Sequence, residues 1–231
     1  LESARNVEIL PNQVVENINF LLSEGKLQAN NTKIFENSLY FAEDGIHQRL
    51  NKLANRIGDK LDTDKFDSII KEVEADLEIQ YDSLQKDAIY KALTHQFFIL
   101  TGGPGTGKTT VIKGIIRAYA ALHKVDLNPD NYTDDVFPIV QVAPTGRAAR
   151  RMNELTGLPA ATIHRQLGLN SDDLEDDFGN DLSGSLLIVD EFSMVDTWLA
   201  NKLFAAIPPS MTVILVGDAD QLPSVGPGQV F

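Results

Sequence analysis

Ten consecutive residues constrain this chain more than any others: Thr101-Gly102-Gly103-Pro104-Gly105-Thr106-Gly107-Lys108-Thr109-Thr110. They follow the apolar run Phe97-Phe98-Ile99-Leu100 and precede a helical pattern from Val111 to Leu122. Strand, glycine-rich turn and helix in direct succession predict a βα unit with the turn at the strand's C-terminal end. Gly102 to Gly107, with Lys108 and Thr109, fit the spacing G-x-x-x-x-G-K-[ST]. Glycine admits positive φ and close backbone approach, so successive N–H groups can turn inward around phosphates. The helix that follows places its positive end at the same anion. Gly103, Pro104, Gly105, Thr106, Gly107 and Thr110 then line the cradle, Lys108 reaches the β- and γ-phosphates, and the Thr109 hydroxyl holds Mg²⁺.

From residue 81 onward, short continuous apolar runs recur at Phe97 to Leu100, Pro138 to Val142, Leu186 to Val189 and Thr212 to Val216. Such runs fit parallel strands buried on both faces, and helical segments lie between them. The expected fold is therefore an α/β domain with a parallel sheet over residues 81–231. His123 to Phe137 reads as a surface loop.

Three further strand ends carry chemistry. Leu186 to Val189 ends in Asp190-Glu191. In open α/β sheets ligands sit at strand ends, so Asp190 is the candidate to hold Mg²⁺ and Glu191 to orient or deprotonate an attacking water. An apolar run ending in two acids is a weak signal alone; beside the phosphate loop it becomes strong. Thr212 to Val216 leads into Gly217-Asp218-Ala219-Asp220-Gln221-Leu222-Pro223-Ser224-Val225-Gly226-Pro227-Gly228. Gln221 both donates and accepts and could sense a γ-phosphate, although Gly, Pro and Asp also make an ordinary turn here. The third junction, Ala143-Pro144-Thr145-Gly146-Arg147 to Met152, offers a hydroxyl, backbone N–H groups and a helix start to a phosphate that need not be a nucleotide's. His164, in Thr162-Ile163-His164-Arg165, has no partner visible in the sequence and suits a structural role as well as a binding one. Upstream, Gln85 opens the helix before the phosphate-loop strand, and a Gln can pair with an adenine edge.

Residues 1 to 80 carry no recognisable chemistry. Val14, Ile18, Leu21 and Leu22 form a helical stripe ending near Gly25. Extended pieces at Lys26 to Ala29 and Lys33 to Phe41 are broken by Asn30-Asn31. Two more helical faces follow: Ile46, Leu50, Leu53, Ala54 and Ile57, then Phe66, Ile69, Ile70, Val73 and Leu77, with Asp62 or Thr63 as N-cap. Helix, hairpin, helix suggests a small, mostly helical, winged-helix-like unit; a plain packing domain fits the same pattern.

The 231 residues carry no Cys, which excludes disulfides and thiolate metal sites and suits a reducing cytoplasm. No apolar run approaches the ~20 residues of a membrane span. The net charge of −13 argues against a protein that coats nucleic acid. Charge is nevertheless local: Arg147, Arg150 and Arg151 cluster, while Asp172 to Asp181 is acidic. The chain starts at Leu1 and stops shortly after a strand-and-loop unit, so both ends read as cuts in a longer protein.

In this order the pieces resemble a superfamily-one DNA helicase of the RecD-like group, akin to exodeoxyribonuclease V alpha subunits. Gln85 is similar to the adenine-reading Gln, Gly102 to Thr109 to motif I, Pro144 to Met152 to motif Ia, and Thr162 to Arg165 to motif Ib. Asp190-Glu191 resembles motif II, and Gly217 to Gly228 resembles motif III. The resemblance covers residues 81–231 and implies the first RecA-like P-loop motor domain, with residues 1–80 similar to the small domain ahead of the motor in stand-alone relatives. It implies ATP and Mg²⁺ as cofactors and 5′ to 3′ movement on single-stranded DNA in repair or recombination. It also implies DNA contact by Thr145, Arg147 and His164, and coupling of the γ-phosphate to DNA grip by Gln221. Possible partners are subunits of a recombination complex; no membrane is expected. Nothing matches motifs IV to VI of the second motor domain, so these residues are expected to bind nucleotide but hydrolyse it poorly. A P-loop ATPase without a DNA role, a scaffold and a relaxase-linked helicase stay open as alternatives.

Overall fold

The structure, a computed structural model, describes residues 10–56, 58, 60–133, 135–169, 179–221 and 224–231. Ile57 of the expected apolar face, most of the acidic run, and Leu222 and Pro223 lie outside the described residues.

The chain opens with α1 (Pro11–Ser23), an antiparallel hairpin of β1 (Leu27–Asn30) and β2 (Lys33–Glu36), α2 (Asn37–Ala54), α3 (Thr63–Leu77) and α4 (Ser83–Thr94). The second extended piece is shorter than its sequence pattern suggests, because Asn37 to Phe41 already belong to α2. The cause is local. The Glu36 carboxylate accepts from the backbone N–H groups of Ser38 at 3.1 Å and Leu39 at 2.7 Å and so caps the helix. The Ser38 hydroxyl adds a further bond, and together these donors hold the Glu36 carboxyl below the usual carboxylate range.

Alternation of strand and helix then begins with β3 (Phe97–Thr101) and α5 (Lys108–His123), followed by β4 (Ile139–Ala143) and α6 (Gly146–Thr156). Next come β5 (Ala161–Thr162), α7 (Ile163–Leu167), β6 (Leu186–Val189), α8 (Thr197–Ala206) and β7 (Thr212–Gly217). Five strands form one parallel sheet in the order β3-β7-β6-β4-β5. All four strands expected from apolar runs are present within a residue of their sequence limits.

The sheet is covered on both faces, as its apolar strands require. On one face Ile139, Leu186, Ile188, Ile214 and Val216 pack with α3, α4, α5 and α6. On the other, Val140, Val142, Leu187, Val189, Val213 and Leu215 pack with α2, α7 and α8. Alternate residues of each strand thus feed opposite cores. Helix α3 lies against α5, and α2 lies against α8, where the Arg49 guanidinium donates to Asn201 Oδ1 at 2.8 Å. In contrast, α1 buries none of its residues, and Val15 and Phe20 on it are exposed.

Candidate nucleotide site at the sheet edge

Because every strand of the sheet runs the same way, all of their C-terminal ends fall along one edge. The phosphate-type loop follows β3, Asp218 to Gln221 follow β7, and Asp190-Glu191 follow β6. Thr145 follows β4, and His164 lies just beyond β5. Strand β7 stands between β3 and β6, so the Gln221 loop leaves the sheet between the lysine loop and the carboxylates.

The loop has the shape its glycines allow. Gly105 and Gly107 hold φ of 76° and 84°, in the left-handed region that L side chains rarely adopt. A Cβ at Gly103 or Gly105 would meet nothing within 4 Å, so the backbone at these two positions is uncrowded. Thr106 Oγ1 donates to Gly103 O at 2.9 Å and closes the turn. Lys108 Nζ donates to Gly102 O, and to Gly103 O at 3.0 Å, which folds the ammonium over the cradle. Backbone N–H groups, a helix start and an ammonium on one concave surface suit a polyphosphate.

Asp190 and Glu191 form the opposite wall. The Asp190 backbone N–H donates to Val142 O at 2.9 Å, which holds the acid at the end of the sheet. Glu191 has a φ of 52° and donates its N–H to Asp190 Oδ1 at 2.9 Å. Burial raises the pKa of both carboxyls. For Asp190 the Glu191 N–H is the main opposing influence, followed by the charges of Lys108 and Arg151. For Glu191 the neighbouring Asp190 charge raises it further, and Lys108 and Arg151 pull it back. A lysine and two carboxylates within electrostatic reach, next to Thr109, are a donor set that fits a magnesium-bound triphosphate.

The remaining predicted residues are placed as follows. Gln85 is the third residue of α4, and its Oε1 accepts from the Asp82 N–H at 3.1 Å in a capping box. Its Nε2 lies 2.9 Å from where a Cβ on Gly107 would stand, so this amide rests against the phosphate loop. Gln221 is exposed, and its N–H donates to Asp218 O at 3.2 Å. Thr145 is exposed and caps α6, accepting from Ala148 N–H at 3.2 Å; Arg147 beside it is also exposed. His164 is exposed on α7, and Thr162 caps that short helix by accepting from Arg165 N–H at 3.2 Å.

Three residues of this edge escape sequence reasoning. Arg151, two turns into α6, acts electrostatically on both carboxylates. Its sequence hints are the cluster of Arg147, Arg150 and Arg151 and the helix face that 147 and 151 share. Asp218 is 2 % exposed and accepts from Asp220 N–H at 3.0 Å, which fixes the start of the Gln221 loop. Tyr81 is buried against the phosphate-loop helix and left no motif.

A family model described as AAA domain matches residues 85–227. The ATP-dependent RecD2 DNA helicase of Deinococcus radiodurans is 41 % identical over 134 residues, covering 58 % of this chain and 17 % of that protein. The RecBCD enzyme subunit RecD of Haemophilus influenzae is 32 % identical over 217 residues, covering 84 % of this chain and 29 % of that protein. The chain therefore spans less than a third of either relative. Among solved structures, the UvsW helicase from bacteriophage T4 superposes with a TM-score of 0.51 at 11 % identity, over 89 % of this chain and 86 % of that one. That likeness speaks to the fold alone.

Proposed function

The chain belongs to the AAA-domain family, and from that premise we propose that it is the ATP-hydrolysing motor portion of a RecD-like DNA helicase. The observation that carries the proposal is the shared sheet edge, on which the Lys108 loop, the Asp190-Glu191 pair and the Gln221 loop leave adjacent strands. The identities of 41 % to the RecD2 relative and 32 % to the RecD relative support it.

In this reading residues 81–231 form the motor and residues 1–80 an accessory unit docked on it. Gly103 to Thr110 hold the triphosphate, with Gln85 at the nucleobase side and Lys108 on the terminal phosphates. Thr109 and Asp190 hold Mg²⁺, which when bound neutralises the phosphate oxygens. Glu191 orients and deprotonates the attacking water. Gln221, between the two walls, reports the γ-phosphate to the DNA-binding surface. Thr145, Arg147 and His164 meet the backbone of single-stranded DNA, along which the motor moves 5′ to 3′. A second motor domain supplies the stabilising arginines, and recombination-complex subunits are the expected partners.

The test is ATP-dependent unwinding by the intact protein, with and without Lys108→Ala, on duplexes bearing a 5′ or a 3′ single-stranded tail. Unwinding from the 5′ tail alone, lost in the variant, supports the reading. ATP turnover indifferent to DNA, with no unwinding, replaces it with a P-loop ATPase that has no helicase role.

A further inference from the structure

One side chain between the N-terminal helices hydrogen-bonds to the helix of the phosphate loop. Tyr81, between α3 and α4, is 5 % exposed. Its hydroxyl donates to Thr110 O at 3.1 Å, in the first turn of α5 and one residue beyond Thr109. Its backbone N–H donates to Glu74 Oε1 at 2.8 Å, and the same carboxylate oxygen takes Lys86 Nζ at 2.9 Å. Glu74 therefore ties α3, Tyr81 and α4 together.

The ring lies where α5 lacks a side chain. A Cβ on Gly114 would come within 2.5 Å of the Tyr81 hydroxyl oxygen, 2.8 Å of its Cζ and 2.6 Å of Ile89 Cδ1. No side chain fits at position 114 without displacing Tyr81 or Ile89. On the other flank Gln85 rests against Gly107, as described above. The start of α4 thus touches the loop and its helix at two points, and the Tyr81 hydroxyl is the hydrogen-bonded one. Burial, with the Glu74 charge second, pushes that phenol up to about 12, so it stays a donor throughout the neutral range.

We propose that Tyr81 is a positioning residue for the nucleotide site: its hydroxyl, admitted by Gly114 and carried on a backbone whose N–H Glu74 holds, fixes the first turn of α5 and with it the placement of Lys108 and Thr109. This rests on the reading of Gly102 to Thr109 as a nucleotide site. Tyr81 touches no substrate. It acts by pre-forming the loop, so its loss costs binding rather than the chemical step.

The experiment is steady-state ATP hydrolysis by the intact protein with a single-stranded oligonucleotide present, together with thermal melting without nucleotide. Tyr81→Phe is expected to raise KM for ATP by about 3- to 10-fold while kcat stays within about twofold, because losing the hydrogen bond to Thr110 O leaves the loop less pre-formed and weakens binding of ground and transition state alike. Gly114→Ala should move KM the same way by displacing the hydroxyl. An unchanged KM in Tyr81→Phe, whether or not its melting temperature falls, overturns the proposal and leaves Tyr81 a packing residue. A fall in kcat at constant KM overturns it as well. Lys108→Ala separates the two levels: if it retains wild-type KM and kcat, the nucleotide-site reading fails; if it is inactive while Tyr81→Phe matches wild type, only the role of Tyr81 fails.

Discussion

Glu191 donates its backbone N–H to the carboxylate of Asp190 at 2.9 Å while its own backbone sits at a φ of 52°. The left-handed region is unfavourable for a residue with a Cβ, by roughly 1–2 kcal/mol, and such residues concentrate at functional sites. The hydrogen bond offsets part of that cost. It also splits the roles of two adjacent acids, because one is committed to its neighbour's N–H.

Replacing Glu191 separates strain from chemistry. Glu191→Gln keeps the shape and removes the base, so kcat for ATP should fall by about 10²- to 10⁴-fold with nucleotide affinity nearly unchanged. Glu191→Gly should be equally inactive yet more stable than Glu191→Gln, by up to about 1 kcal/mol in urea unfolding, since glycine tolerates this φ. A Glu191→Gln protein with wild-type turnover would remove Glu191 from the mechanism.

Asp190 makes a pH-dependent prediction whose sign follows from its burial. Burial holds its folded pKa above the usual aspartate range, so the native state binds more proton than the unfolded chain just above that range. Stability therefore declines as pH rises through the window between the unfolded and folded values. Asp190→Asn cannot ionise and escapes that decline. In the metal-free protein its melting temperature should exceed wild type at pH 7, with the gap closing toward pH 3. A constant gap across that range would show that ionisation of Asp190 is not its source.

Arg151 should reveal itself in the pH profile of turnover. Its charge opposes the upward shifts of Asp190 and Glu191, the two acids whose proposed roles require the ionised form. Arg151→Ala should move the acid limb of kcat to higher pH. Arg150→Ala is the matched control, because Arg150 pairs instead with Glu154 at 3.3 Å. Equal profiles for the two variants would place Arg151 outside the catalytic field.

Much of this edge was legible because its signals are local. Lys108 and Thr109 follow a glycine spacing, and Leu186 to Val189 form a continuous apolar run that ends at Asp190. The strands are buried on both faces, and so their composition alone marks them. The extended piece expected over Lys33 to Phe41 exceeds β2 because a β-like apolar pattern does not show that the Glu36 carboxylate caps a helix. Tyr81 and Arg151 were not legible as site neighbours, since Tyr81 depends on how the start of α4 meets α5 and Arg151 on where α6 lies relative to the end of β6. Glycine at 114, unhelpful in a helix, was the one sequence trace of the Tyr81 contact.

The loop that carries Gln221 is fastened to the helix that follows the acids, and this fastening can be cut. Thr197 N–H donates to Pro227 O at 3.1 Å, and Ser224 Oγ donates to Gly226 O at 3.0 Å and Gly228 O at 3.2 Å. Asp196 caps α8 by accepting from Leu199 N–H at 2.8 Å, and a Cβ on Gly226 would collide with that same carboxylate. Gly226→Ala must therefore either lift the loop or uncap the helix, at a cost of about 1–3 kcal/mol. Asp196→Gly removes the cap and every Asp196 atom that a Cβ at 226 would strike, so the double variant should be less destabilised than the sum of the two single changes. If the loop couples the two walls of the site, Gly226→Ala should also weaken the stimulation of ATP hydrolysis by single-stranded DNA more than it lowers the DNA-free rate. Val225 is fully exposed, and Val225→Ser should leave both rates unchanged. Strict additivity in urea unfolding, or DNA stimulation intact in Gly226→Ala, would mean that the fastening only packs the loop.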